Sequence, residues 1–423
     1  MNKPLSQIVI IGNGVAGNSA ASAIRKVNKK IPITLISEEP FPEYTPSVLS
    51  KQFLSGDISR EQVFLKSLDD YRQDGIRAIL GQKVFGLDLR ENKVYFKKGH
   101  INYDRLILAT GSKPIVPNIP GIHKRGIFTL KSLRDAERIT TYSGEKAVII
   151  GGGAIGVEAS LALSRRGWRV CLIELLHWIL PQSFDEKPSG MLKEIIEEHG
   201  VEILTGDRVV TIEGHDHVES VLTEKRTLKC DLVILALGMR PEVGLAQKAG
   251  VHINRLGAVR VNKQMMTNIE TVYACGDCAE TRDVISGKAI SSLLLQTAKQ
   301  EGKVAGYNSV GIDRGYPGAL NISSIDIHGV NGVSIGHTMR TSKHSNFDII
   351  EGVENQCYYR FLIAEEIFVG AQFVGKAQPI GSCLSVILRG DSLDSLRRIA
   401  DNKNLLYKSP WLYRMSGHIT TTL

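Results

Sequence analysis

An α/β fold in two repeated units, followed by a smaller α+β domain, is what this sequence predicts, and three observations predict it. Ile8-Val9-Ile10-Ile11 is a short β-branched run followed at once by Gly12-Asn13-Gly14-Val15-Ala16-Gly17 and then by small residues leading to Arg25 and Lys26. The same order recurs at Ala147-Val148-Ile149-Ile150, Gly151-Gly152-Gly153-Ala154-Ile155-Gly156 and 157–165. Beyond residue 318 the texture changes to short strand-like runs. Strand, glycine turn and helix in that order make a dinucleotide-binding unit. The first glycine permits the turn, the second lets the backbone approach a pyrophosphate, and the third lets helix pack on strand. The free N–H groups of the helix start then face the phosphates. The reading is therefore two Rossmann-like dinucleotide-binding domains plus a C-terminal α+β domain. Gly12, Gly14 and Gly17 serve the first site, and Gly151, Gly153 and Gly156 the second.

The elements follow in order. Residues 31–36 read as a second strand, and Glu38 lies 24 residues beyond Gly14, where a carboxylate binds a ribose hydroxyl. Glu39 is one residue further on. The run from Phe41 to Lys51 is too rich in Pro and Ser for a long helix before Ser47, so Lys51 falls on a short one. Residues 84–89 and 93–96 read as a hairpin. Residues 103–111 read as a strand ending in the small turn Ala109-Thr110-Gly111, which lets backbone approach a cofactor. Prolines 114, 117 and 120 mark a crossing between domains. In the second unit the strand 169–173 closes on Glu174, 21 residues after Gly153. A carboxylate there accepts the ribose hydroxyls of NAD and repels the 2′-phosphate of NADP, so NAD is the expected nicotinamide despite Arg165, Arg166 and Arg169. Residues 231–238 form a matching strand and turn ending at Gly238. Residues 272–275 read as a strand, and Gly276-Asp277 after it places a carboxylate where a ribityl hydroxyl can donate to it at a helix start. A helix follows over 290–310. The strands expected beyond are 322–327, 332–339, 356–363 and 367–373, the last two paired antiparallel through Ala364-Glu365-Glu366. Short helices follow at 382–389 and 393–399, then a tail at 402–423 with Tyr407, Trp411, Leu412 and Tyr413.

These residues resemble the two-dinucleotide flavoprotein reductases of the pyridine nucleotide–disulfide oxidoreductase fold, over about 5–400. The set that carries the likeness is the two glycine turns, Ala109-Thr110-Gly111, Ala236-Leu237-Gly238 and Ala274-Cys275-Gly276-Asp277. The resemblance implies FAD in the first unit and NADH (NAD+) in the second. It implies FAD-binding segments at 1–113 and 245–318, an NAD-binding domain at 114–244 and an interface domain at 319–423. On this resemblance FAD is held by Gly12, Gly14, Gly17, Glu38, Lys51, Ala109, Thr110, Gly111, Gly276 and Asp277. NAD is held by Gly151, Gly153, Gly156, Glu174 and Gly238. Within the superfamily the chain is similar to ferredoxin and rubredoxin reductases, to the flavoprotein part of nitrite reductases, and to NADH-oxidising subunits of anaerobic iron–sulfur complexes. Leu49-Ser50-Lys51 matches a segment whose lysine lies beside the flavin, and Glu158 matches its carboxylate partner. Both are expected catalytic residues: Lys51 stabilises negative charge near flavin N5, and Glu158 holds Lys51 and borders the nicotinamide.

The departures narrow the chemistry. No CxxxxC pair occurs in the first unit, and Ser47 stands where related NADH oxidases, peroxidases and CoA-disulfide reductases carry a cysteine. Serine forms no thiolate or sulfenate. The expected function is an FAD-dependent NADH:acceptor oxidoreductase serving an iron–sulfur protein or subunit, ferredoxin- or rubredoxin-like or part of a larger complex. The alternatives are a flavin-dependent disulfide or persulfide reductase using Cys275 or Cys278, an NADH oxidase, and a non-catalytic FAD-containing scaffold subunit.

Composition sets the outer bounds. The chain has 423 residues, 52 Lys plus Arg against 44 Asp plus Glu, and a formal net charge of +8. That excess favours an acidic partner, while no recognition motif or dense basic block points to nucleic acid. Six cysteines are too scattered for a disulfide scaffold. No signal peptide or membrane span is read, so the expected location is cytoplasmic. A homodimer is among the assemblies expected.

Overall fold

The computed structural model describes residues 5–342, 344, 346–376, 380–392 and 394. Two five-stranded parallel sheets carry most of them. The first runs Val272–Ala274, Arg105–Leu108, Ile8–Ile11, Ile33–Ile36, Ile76–Ile79. The second runs Val201–Thr205, Arg169–Glu174, Lys146–Ile150, Leu232–Leu235, Ile127–Thr129. Every residue of Ile8–Ile11, Ile33–Ile36 and Leu232–Leu235 is buried, as the wholly or mainly apolar strands of a parallel sheet covered on both faces require. The two sheets share a register. Ile11 pairs with Ile36 and Ile150 with Ile173, and the next residue in each central strand, Gly12 or Gly151, donates to Ile36 O or Ile173 O at 2.8 Å.

The strand Val272–Ala274 joins the first sheet although the whole second sheet precedes it in sequence. The chain therefore crosses between sheets twice. The two crossings, Ser112–Pro114 and Met239–Pro241, pair antiparallel with each other. Beyond them lies an antiparallel sheet in the order Ile322–Ile327, Val330–Gly336, Ile367–Gly375, Cys357–Ala364, Asp348–Glu354, with the helix Ile380–Arg389 against it. The turn from Ala364 to Ile367 is a two-residue hairpin with Glu365 and Glu366 both left-handed, at φ 49° and 63°. This sheet packs on the helix Glu186–Glu198. Leu192 and Ile196 share an apolar cluster with Ile325, Ile327, Tyr358 and Val374, and buried Asp185 exchanges hydrogen bonds with Gln372 at 2.8 Å.

Several elements differ from expectation. The helix expected from 290 begins at Leu295, because Ala289–Ile290 instead pairs with Thr281–Arg282. Gly99–Asn102 adds a third strand to the 84–96 hairpin. Asp348–Glu354 is an edge strand whose residues are all exposed or half-buried, so it carries no inward apolar alternation to read. Asp394 aside, the helix expected over 393–399 and the tail at 402–423 lie outside the described residues. No helix among the described residues is long and apolar enough to cross a membrane, and none of these residues group three His, Cys, Asp or Glu as a metal site.

Candidate active site

Both glycine turns have the form that phosphate binding needs. At the first, Gly12 has φ +114°, and a Cβ on Gly17 would collide with the Gly12 carbonyl oxygen. A Cβ on Gly14 would meet nothing within 4 Å. The helix Val15–Val27 starts there with no side-chain cap and no acidic residue in its first turn, so its leading N–H groups await an acceptor. Asn13, between the glycines, is fixed from three sides. Its Nδ2 donates to Phe41 O at 2.9 Å, and its Oδ1 accepts from the Tyr71 hydroxyl at 2.8 Å and from Asn18 Nδ2 at 3.0 Å. The second turn repeats the form: Gly151 at φ +111°, Gly153 open, Gly156 tight on the Gly151 carbonyl, and an uncapped helix Ala154–Arg165. Gly156→Ala is expected to force that helix off its strand and abolish nicotinamide binding while FAD stays bound. Equilibrium binding of NADH to the yellow variant checks it.

The carboxylates after the second strands differ between the units. Glu174 is buried, with Oε2 accepting from Gly152 N at 2.7 Å and Oε1 from Leu176 N at 2.8 Å. It is thereby locked against the second glycine turn. In the first unit the shared register puts Ser37, not Glu38, at that place. Ser37 lies 23 residues after Gly14 and Glu174 lies 21 after Gly153, because the first link from helix to strand is longer. One residue on, past the strand end at Ile36, the chain bends away. Glu38 accordingly projects outward, two-thirds exposed, and pairs with Lys83 at 3.0 Å. The structure thus corrects the placement of Glu38 at the turn. The partly buried carboxylate nearby is Glu39, which accepts from the Tyr44 hydroxyl at 2.8 Å and is pushed above the usual carboxylate range by burial.

The small turns meet where the chain crosses between sheets. Thr110 Oγ1 donates to Glu242 O at 2.6 Å, Glu242 N donates to Gly111 O at 2.8 Å, and Ile115 N donates to Gly238 O at 3.0 Å. Ala109 N is tied to Ile11 O at 2.8 Å. Asp277 stands at the same junction, in the short turn Gly276–Cys278 that presses on Ala16 at the start of the first helix. Its Oδ2 accepts from the Ser112 hydroxyl at 2.6 Å and lies 3.4 Å from Lys131 Nζ. Lys131, which the sequence reading did not single out, thus joins Asp277 at this junction. The available signal is its place beside Ser132 and Asp135, the capping box that opens the helix Leu133–Thr140.

Lys51 and Glu158 come together across the two units. The segment Leu49–Phe53 is a wide π-type turn, a feature often found at functional positions. It brings two consecutive side chains to one carboxylate: Lys51 Nζ lies 3.1 Å from Glu158 Oε1, and the Ser50 hydroxyl donates to Oε2 at 2.5 Å. Leu49, Phe53 and Leu54 pack in the same cluster as Val157 and Leu161, which seats the turn on the second helix. Lys51 is 41 % exposed and Glu158 13 %, so Glu158 is the sheltered end of the pair. Ser50 is a second residue missed from sequence.

No cysteine stands open beside these groups. All six are buried and unbridged. Cys275 and Cys278 are fully buried, and burial pushes both thiols up. Ser47, on the turn Pro46–Val48, shares a hydrogen bond with Thr45 at 3.1 Å.

Residues 6–302 match the family model of the pyridine nucleotide-disulphide oxidoreductases. The chain belongs to this family. Its cofactors are FAD and a nicotinamide dinucleotide, and it is an oxidoreductase that uses them. The two open glycines at uncapped helix starts, one per sheet, fit two pyrophosphates. A protein named NADH oxidase from Methanocaldococcus jannaschii is 32 % identical over 80 % of this chain and 77 % of its own. Nitrite reductase [NAD(P)H] from Bacillus subtilis is 29 % identical over 93 % of this chain, which spans only 48 % of that protein. The solved NAD-dependent persulfide reductase from A. fulgidus is 26 % identical, with a TM-score of 0.86 over 93 % of this chain and 78 % of its own.

Proposed function

We propose that this oxidoreductase takes electrons from NADH and passes them from its FAD to a separate acceptor without a protein thiol, the acceptor being an iron–sulfur protein or subunit. The observation that carries the reading is the burial of all six cysteines, with serine at position 47. When bound, FAD supplies the chemistry, accepting a hydride and releasing electrons singly or in pairs. The chain supplies position and charge. Glu174 orients the NADH ribose, the leading N–H groups of both helices hold the pyrophosphates, Asp277 accepts from the ribityl chain, and the Lys51 cation faces the charge that develops on reduction. The nitrite reductase match supports the acceptor class, because nearly all of this chain corresponds to about half of a larger reductase.

The other relatives favour a second reading, in which O2 or a small sulfur compound takes the electrons directly. Those with higher identity than the nitrite reductase bear the name NADH oxidase or are named for sulfur and persulfide reduction. The test is an anaerobic mixing experiment. The protein is bleached with one equivalent of NADH and then challenged with an acidic ferredoxin, a rubredoxin, a polysulfide or O2. The first reading expects fast reoxidation by an iron–sulfur protein that slows as salt screens the basic surface. Fast, salt-independent reoxidation by polysulfide or O2, with iron–sulfur proteins poor, overturns it. Replacing Cys275 and Cys278 together with serine is expected to leave NADH-to-dye turnover unchanged; loss of polysulfide turnover alone would put those thiols back into the chemistry.

A further inference from the structure

Behind the 276–277 turn lies a carboxyl that the proposed chemistry does not use. Glu301, on the inner face of the helix Leu295–Ser309, is 1 % exposed. Its Oε2 accepts from Gly276 N at 2.9 Å. Its Oε1 is buried with no hydrogen-bond partner, and so is Thr281 Oγ1. Thr281 is among the groups that face the carboxyl, with Asp277, the Cys275 thiol and the Tyr316 ring hydroxyl. No cation is among them; Lys131, a cation at this junction, is on Asp277.

A buried carboxylate without a cation, beside a second carboxylate, is costly. One proton removes the cost and satisfies both orphaned oxygens. The protonated Oε1 donates to Thr281 Oγ1 while Oε2 keeps the Gly276 N–H. We propose that Glu301 is a positioning residue, held as a neutral carboxylic acid that braces the Gly276-Asp277 turn at the flavin, and that loss of its proton loosens the turn and the FAD with it. Burial pushes this carboxyl up to about 8, with Asp277 adding to the rise, so the neutral form persists at neutral pH. The inference rests on the placing of Asp277 against FAD.

Linkage gives the sign. The folded chain keeps a proton that the unfolded chain loses near the ordinary value of 4.5. Stability therefore falls as pH rises from about 4.5 and levels off above about 8. Glu301→Gln keeps an acceptor for Gly276 and a donor for Thr281 but carries no proton to lose.

The experiment follows FAD release from the purified holoprotein, by flavin fluorescence, between about pH 6 and about pH 9.5. Wild type is expected to lose affinity by about tenfold or more across the upper half of that range. Glu301→Gln is expected to match wild type at neutral pH and stay flat. An equal slope in both overturns the proposal. Infrared difference spectra of wild type supply a readout that needs no variant: a protonated-carboxyl band at neutral pH that titrates away above about pH 8 is expected. Its absence also overturns the proposal. The apoprotein's melting temperature separates this failure from that of the flavin assignment. A wild-type slope that vanishes in Glu301→Gln, with FAD affinity indifferent to both pH and Asp277→Asn, would retain the buried acid and discard its link to FAD.

Discussion

Replacing Lys51 with methionine is expected to slow reduction of the bound FAD by NADH by about a hundredfold, the usual loss when one preorganised stabiliser of developing charge is removed. FAD should stay bound, since the helix starts and Asp277, proposed above to hold it, are untouched. The expectation comes from geometry. Glu158 is gripped twice, by Lys51 at 3.1 Å and by Ser50 at 2.5 Å, so Lys51 is aimed rather than free. The pair joins the turn Leu49–Phe53 of the first unit to the helix of the second, the place proposed for the meeting of the two cofactors. A half-exposed ion pair contributes little to stability, about 0–1 kcal/mol, so its loss should scarcely move the melting temperature. Anaerobic stopped-flow absorbance measures the reduction rate. An unchanged rate would leave Lys51 a surface cation, and a colourless purified variant would make it a binding residue instead. Ser50→Ala should give a smaller slowing, because it frees Glu158 without removing the charge.

How far this site was legible depends on which physical signal each part sends. The glycine turns were plain, because only glycine tolerates φ above +110° at Gly12 and Gly151 or the contact of Gly17 and Gly156 with a backbone oxygen. The central strands were plain because burial on both faces leaves unbroken apolar runs. Glu38 failed because spacing was counted through a helix–strand link of unfixed length. Two extra residues there move the register to Ser37 and turn Glu38 outward. Ser50 and Glu301 send no local signal at all, and Lys131 sends only its place before a capping box. Each acquires its role from a partner far away in sequence: Asp277 for Lys131, Glu158 for Ser50, and Gly276 with Thr281 for Glu301. The strand Asp348–Glu354 escaped for a different reason, since an exposed edge buries too little to impose a pattern.

Glu174→Ala carries the other large expected effect, and it separates two things the carboxylate does. The side chain organises the second turn by accepting from Gly152 N and Leu176 N. In the proposed role it also accepts from the NADH ribose. Its loss removes charge-assisted hydrogen bonds worth about 1.5–3 kcal/mol, so NADH binding should weaken by about ten- to hundredfold. NADPH loses the same turn support but is relieved of a carboxylate facing its 2′-phosphate. Its binding should therefore change much less, and the ratio between the two nucleotides should collapse toward one. Anaerobic binding titrations with each nucleotide measure this directly. Equal weakening of both would mean that Glu174 only shapes the turn, with the choice of nucleotide made elsewhere. His177, packed beside Gly206 just past the same strand, would then be the next residue to replace.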